Sequence, residues 1–422
     1  MNRGALAWLG LLTTGIGACG GKILNESPGA VIDASDAPSP YAAECANAAT
    51  PPATLECTGL YWNIQAKTLS PGVRPYAPAI PLWADGAEKQ RWIWLPSGTK
   101  IDASDPNEWK FPVGTKVWKE FSRDGKRVET RLWQKVQSNY WVRTTYLWNS
   151  EESAAASSGG EDIPWGDGGT YHVPTGDECD QCHRGRIDRI LGFEQVSLGL
   201  PGATGLTLPQ LVTKGLLTPA PARTQLTIGD DGTGAAAAPL AWLHVNCGVS
   251  CHNSNSNSTG YGASQRLRLD PTLLDGRSSA AFDSLATTVN RTADTPTWAG
   301  QTRIVPGDPN DSLLVKLITN RGTNNPVSNQ MPPIATLIVD GPDTKNVVAW
   351  IRAMPPLPTV DAGPAPLPDA AIDATVGDSN AGEAGSAESV DAELPDSTVA
   401  LLDVAGDDVT VEPSEAPDAG AE

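Results

Sequence analysis

The sequence predicts an α+β protein: an N-terminal antiparallel β domain, a helical region after it, and a disordered acidic tail. Three observations predict this. Nine of the 14 Trp fall between Leu60 and Ser150, within short runs that alternate in polarity. From Asp177 onward, apolar residues recur at helical spacing between loops. Residues 361–422 hold 16 of the 49 acids and no Lys, Arg or aromatic residue. Such a composition cannot bury enough apolar surface to offset the entropy of ordering. The net charge of −19 therefore sits mainly in the tail, 357–422. The rest is nearly neutral and has no basic excess to displace counterions, so nucleic acid is not an expected partner.

Taken in order, residues 1–18 carry one base, Arg3, and an apolar run from Ala5 to Leu12. This is too short for a span of roughly 20 apolar residues and reads as a secretory signal. Ile16-Gly17-Ala18-Cys19 resembles the bacterial lipobox. That resemblance implies cleavage before Cys19, lipidation of its thiol and amine, and anchoring to a membrane by two or three acyl chains. Gly20, where an Asp would favour inner-membrane retention, favours the outer membrane by analogy. Residues 19–43 lack a hydrophobic period and read as a flexible tether.

The β domain is expected over 44–165. Cys45 and Cys57 flank a Pro/Ala-rich loop, have no His nearby, and are expected to pair in a disulfide. Arg91–Leu95 ends at Pro96-Ser97-Gly98, and Gly114–Phe121 makes a second strand. Arg123-Asp124-Gly125-Lys126 is a hairpin turn signal. Val128, Thr130, Leu132 and Val136 share one face of the next strand, with Arg131 and Lys135 on the other. Tyr140 to Trp148 alternates again. Glu151–Glu161, rich in Ser, Ala and Gly, reads as a surface loop. The Trp residues suit a core better than a carbohydrate platform.

Helices are expected from Leu208 through Leu217, over Ala236–Asn246, after a cap at Asn310-Asp311-Ser312, and over Asp343–Met354. Two motifs lie here. Cys179-Asp180-Gln181-Cys182-His183 has the spacing of c-type haem attachment. Two thiols three positions apart can add to the two vinyl groups of one porphyrin edge, and the following His can bind the iron. Half a zinc site or a redox disulfide are the competing readings. Cys247-Gly248-Val249-Ser250-Cys251-His252 is the same device with one extra residue. Its competitor is a Cys247–Cys251 disulfide. Met331, in Met331-Pro332-Pro333, is the candidate thioether ligand opposite His252, and Met/His ligation raises the reduction potential. These readings place a first haem segment at 166–235 and a cytochrome c-like region with a second haem at 236–356. The sixth ligand of the first site falls among His244, His172, Met354 and no protein group, with His244 preferred.

Several stretches resemble a family of exported bacterial dihaem c-type cytochromes. They are Pro81-Leu82-Trp83-Ala84-Asp85 with Lys89–Ile93, Trp109–Lys116, Glu129–Leu132, Arg186–Phe193, and Val305–Pro309 before Ser312-Leu313-Leu314. The resemblance runs from about Leu60 to Met354. It implies a β region followed by two segments binding haem c, with His183 and His252 as proximal ligands and Met331 as the family's loop Met. The family more often has two residues between the second pair of Cys. The expected activity is electron transfer outside the cytoplasm with redox partner proteins. A peroxidase-like enzyme with one open haem, or a lipid-anchored β module that binds a partner, are the alternatives.

Overall fold

The computed structural model describes residues 39–165, 169–321, 329–334 and 336–356. The signal segment, Cys19, most of the tether and the acidic tail lie outside the described residues. Helix and strand are mixed, and the N-terminal region is an antiparallel sheet.

The chain enters through two short 3-10 turns joined by the Cys45–Cys57 disulfide, which spans 12 positions. A closed loop of about that length restricts the unfolded chain by about 3 kcal/mol. Strands β1 (Tyr61–Asn63) and β2 (Thr68–Leu69) pair with each other. The chain then runs through β3 (Arg74–Ala77), β4 (Glu88–Trp94), β5 (Ile101–Asp102), β6 (Lys116–Arg123), β7 (Lys126–Gln137), β8 (Tyr140–Trp148) and β9 (Ala154–Ser157). The β6–β7 turn puts Asp124 and Gly125 at φ 50° and 73°. Two successive positive φ values make the tight hairpin turn whose twist matches its strands, and an Asp-Gly pair adopts it most readily.

The expected loop Glu151–Glu161 instead contains β9, paired along β8. Ala154 is buried, and Ala156 N–H donates to the Ala53 carbonyl of the entry segment at 2.8 Å. Strands β10 (Asp162–Pro164) and β11 (Thr170–His172) form a separate hairpin. Segment 166–235 also supplies β12 (Thr204–Gly205) and β13 (Leu217–Thr218). β12 pairs with β3, completing a seven-stranded antiparallel sheet, and β13 runs parallel to β5. The first motif's segment is thus built into the sheet region and is not a separate layer after it.

Both faces of the central sheet are covered. Trp92, Trp118, Leu132 and Tyr146 pack on one face against Leu55, Leu60 and Ile64. Ile93, Val117 and Trp133 lie on the other, against Ile190, Phe193 and Leu198. The Arg131/Lys135 face is therefore an interior surface, and Lys135 is only 3% exposed.

Among the described residues the α-helices are α1 (Gly176–His183), α2 (Gln195–Gly199), α3 (Leu208–Thr213), α4 (Ala237–Leu243), α5 (Asp283–Ala286), α6 (Leu313–Thr319) and α7 (Gly341–Ala353). α3 stops short of Leu217 because Gly215, at φ 64°, takes the left-handed position that ends helices. Leu216 N–H then bonds back to the Leu211 carbonyl at 2.9 Å. Ser312 begins α6, but its hydroxyl turns away from the helix to donate to Asp308 O at 2.8 Å. α4, α6 and α7 bury Leu240, Leu243, Leu314, Ile318, Val347, Trp350 and Ile351 in one core. Among the described residues, no helix is long and apolar enough to cross a membrane.

Candidate haem centres

The first motif lies on α1, whose start is fixed by a reciprocal cap. Glu178 N–H donates to Thr175 Oγ1 at 3.2 Å, and Thr175 N–H donates to Glu178 Oε2 at 2.8 Å. The loop after α1 is pinned to the sheet by buried Asp188. Its carboxylate accepts from Lys135 Nζ at 2.6 Å, Trp141 Nε1 at 2.8 Å and Phe111 N–H at 2.5 Å. These bonds hold the chain that carries His183. His183 Nδ1 lies 2.5 Å from the Arg189 carbonyl. A carbonyl can only accept, so Nδ1 is the protonated nitrogen and Nε2 keeps its lone pair. The ring stacks on Trp133, centroids 4.2 Å apart at 19°. Desolvation drives its pKa down to about 3; the Arg189 carbonyl opposes this, and Lys119, Arg131 and Arg143 add to it. A neutral imidazole with one free nitrogen is the form that binds iron.

Cys179, Cys182 and His183 line one cavity of about 110 Å³, together with Lys119, Arg131 and His172. A second cavity of about 300 Å³ shares Cys179, Arg131, Trp133 and Pro174 with it. The polar groups here were not found from sequence. Arg91 on β4 lies directly opposite Lys119 on β6, which lies opposite Arg131 on β7. Arg131 pairs with buried Glu129, with Nε 2.8 Å from Oε2. For Lys119, desolvation and then Arg91, Lys89 and Arg131 hold the amine well below the usual lysine range. Strand alternation could have shown that these residues share a face, but not that a motif some 60 positions later covers it.

The second motif starts in a π-helical turn, His244–Gly248, that continues α4. Val249 N–H bonds to His244 O and His252 N–H to Cys247 O, each at 2.8 Å and each five residues back. The wider turn absorbs the extra residue between the cysteines, as π-bulges do at functional sites. Cys247, Cys251 and His252 consequently line one cavity of about 410 Å³, walled by Leu313, Leu314, Leu317 and Ile318 and by Met331-Pro332-Pro333. Met331 is placed by its N–H bond to Leu317 O at 3.0 Å. His252 is buried and its Nδ1 has no hydrogen-bond partner. Burial, then Arg303 and Arg266, push its pKa down to about 4. All four cysteines of the two motifs are free thiols.

The motifs meet each other. A Cβ added at Gly185 would fall 1.7 Å from the Ser250 carbonyl oxygen. Thr259 Oγ1 donates to Gln181 O at 2.8 Å. The neighbouring Cys251 thiol and burial push the Cys182 thiol up, and Cys182 draws the Cys251 thiol down. Buried Glu108 ties the same two segments, 3.5 Å from Arg186 and in contact with Arg268.

His244, the preferred candidate for the sixth ligand of the first site, is not among the residues that line these three cavities. Its Nδ1 accepts from Leu269 N–H at 2.9 Å and its Nε2 lies 3.4 Å from Glu194 Oε1. Both nitrogens are used inside the protein, and the ring joins α4 to α2. Burial pushes the Glu194 carboxyl up, but His244, Arg186 and Ser197 outweigh it and bring the pKa down to about 2. Met354 is buried in the α4–α6–α7 core. His172 does line the first cavity, with Nδ1 2.7 Å from Asp162 Oδ1 and Nε2 3.0 Å from Glu178 Oε2. Among the described residues, no three His, Cys, Asp or Glu side chains converge as a ligand set for a bare ion. No family model, curated protein or solved structure matches the chain.

Proposed function

We propose that the chain is a dihaem c-type cytochrome that transfers electrons outside the cytoplasm, held to a membrane through lipid on Cys19. The single observation that carries this reading is the cavity at the second motif. It gathers two thiols, a neutral buried His and a Met thioether around about 410 Å³ of mainly apolar lining that also holds Asp294 and Arg303. Those are the groups a covalently attached haem needs, and the volume falls in the range of ordinary ligand sites.

Cys179 and Cys182 would hold one haem and Cys247 and Cys251 the other, with His183 and His252 as proximal ligands. Haem c supplies one-electron redox chemistry at its iron. The chain's own residues do the rest. Trp133 and the Arg189 carbonyl fix the His183 ring. The π-turn carries Cys251 and His252 back to the wall that Cys247 lines. Leu313, Leu314, Leu317 and Ile318 exclude water beside Met331. The contacts of Gly185 with Ser250 and of Cys182 with Cys251 set the two attachment points side by side, an arrangement suited to a relay. Redox partner proteins would be the donor and acceptor.

A reductive titration tests the proposal. Two one-electron steps are expected, and Met331→His is expected to lower the potential of one step only. A single step, or no reducible chromophore, contradicts it.

A further inference from the structure

We propose that Lys119 is the sixth ligand of the iron at the first site. The inference rests on the haem reading above and assigns a ligand that the two motifs leave open. It begins from what lines the cavity of Cys179, Cys182 and His183. The side chains there with a donor atom of their own are Tyr76, Lys119, Arg131, His172 and Glu178. Four of them are committed elsewhere. Arg131 forks onto Glu129 through two nitrogens and, as a guanidinium, keeps no lone pair to offer. Glu178 caps α1 and accepts from Thr175 N–H. His172 is bracketed by the Asp162 and Glu178 carboxylates, which favour its charged form and occupy both ring nitrogens. Tyr76 is a buried phenol, pushed up to about 12, so it keeps its proton.

Lys119 is different in kind. It projects from the middle of β6 on the same face as Val117, which sits opposite Trp133, the ring on which His183 stacks. No hydrogen bond or ion pair to its ammonium occurs among the described residues, and the group near it is the Phe121 ring, 4.7 Å from Nζ to centroid. Its direct cross-strand neighbours are Arg91 and Arg131. Like charges facing each other across strands are destabilising, and Arg91 is itself buried at 6% exposure. Lys119 is half-buried beside these two guanidinium groups, and an amine that gives up its proton to bind a metal removes the ammonium charge from between them. Coordination uses the lone pair of the neutral amine, its proton passes to solvent water, and the oxidation state of the iron does not change. A primary amine opposite an imidazole gives a six-coordinate, low-spin iron.

The test uses full-length chain matured in a host that assembles c-type cytochromes. It reads haem content by pyridine haemochrome and ligation by ferric electron paramagnetic resonance with near-infrared magnetic circular dichroism. The wild-type protein is expected to show two low-spin haems, one with a His/Met signature and one with a His/amine signature. Lys119→Ala is expected to keep both haems while one becomes high-spin and binds cyanide at least tenfold faster. Lys119→His is expected to restore a low-spin state with a bis-imidazole signature. A high-spin or bis-imidazole first haem in the wild type overturns the proposal without any variant. So does a low-spin spectrum that survives Lys119→Ala or collapses instead in His172→Ala. If the wild type carries no haem on Cys179 and Cys182, the haem reading of that site fails with it; if haem is present and only the ligation differs, the assignment of Lys119 alone is wrong.

Discussion

The two Cys-bearing segments use the same device on opposite supports. The first has the strict Cys-x-x-Cys-His spacing, sits on an eight-residue helix, and faces a β-sheet through Trp133, Lys119 and Arg131. The second has a loose spacing, continues a buried helix, and faces aliphatic side chains and Met331. The better motif has the smaller cavity, and the weaker motif has the more complete one. Motif spacing and site quality are thus separate properties. Spacing constrains the thiols, whereas the cavity depends on what the rest of the chain brings. At the second motif, i→i−5 bonds accompany the longer spacing, and Cys247, Cys251 and His252 still line one cavity.

The comparison can be broken one side at a time, and the largest effect is expected at the first site. Asp188→Ala leaves Lys135 buried without its partner and unties the loop behind His183. Breaking a buried pair costs about 3–5 kcal/mol. Urea unfolding is expected to show a loss of that size, with depletion of the first haem and not the second.

Next come the joints between the sites. Glu194 has a pKa near 2 in the folded chain against an ordinary value of 4.5. The folded state therefore binds fewer protons between those values. The stability this provides is present above about pH 4.5 and is lost as pH falls toward 2, a total on the order of 3 kcal/mol. Glu194→Gln is expected to be less stable at pH 7, with the gap to wild type closing as both are acidified in equilibrium unfolding. Gly185→Ala places a methyl against the Ser250 carbonyl, which cannot rotate away. Overpacking of this kind costs about 1–3 kcal/mol, and thermal melts are expected to fall accordingly. A neutral Gly185→Ala would show that the motifs do not abut.

The smallest effect is local. Thr175→Ala removes the cap of α1 and is expected to destabilise by about 1 kcal/mol. Its signature is greater amide exchange at Asp177 and Glu178, with the second site unchanged.

Much of the sheet was legible in the sequence because alternation and the Asp-Gly turn are local signals. The β6–β7 hairpin follows from them, whereas the irregularities in register after Phe121 and after Lys135 do not. Both motifs and the grouping of His252 with Met331 were also legible, since the helix before and the loop after could be read in order. What was not legible depends on distant partners. Strand alternation placed Arg131 and Lys135 on one face, but nothing local said that Asp188 would bury Lys135. β9 escaped notice because Ala and Ser carry little strand preference and owe their pairing to β8 and Ala53. The partners of His244, Glu194 and Leu269, lie 50 and 25 residues away, beyond the reach of any local signal. Lys119 was one charge among many until the fold set a motif above it.

The central claim is that both segments hold haem, and the most direct measurement is haem per chain. Pyridine haemochrome and intact mass should be read on full-length protein matured with a c-type assembly system, beside Cys179→Ala/Cys182→Ala and Cys247→Ala/Cys251→Ala. The account predicts two covalent haems in the wild type and one in each double variant. One haem in the wild type, lost entirely in one double variant and unaffected in the other, would contradict it.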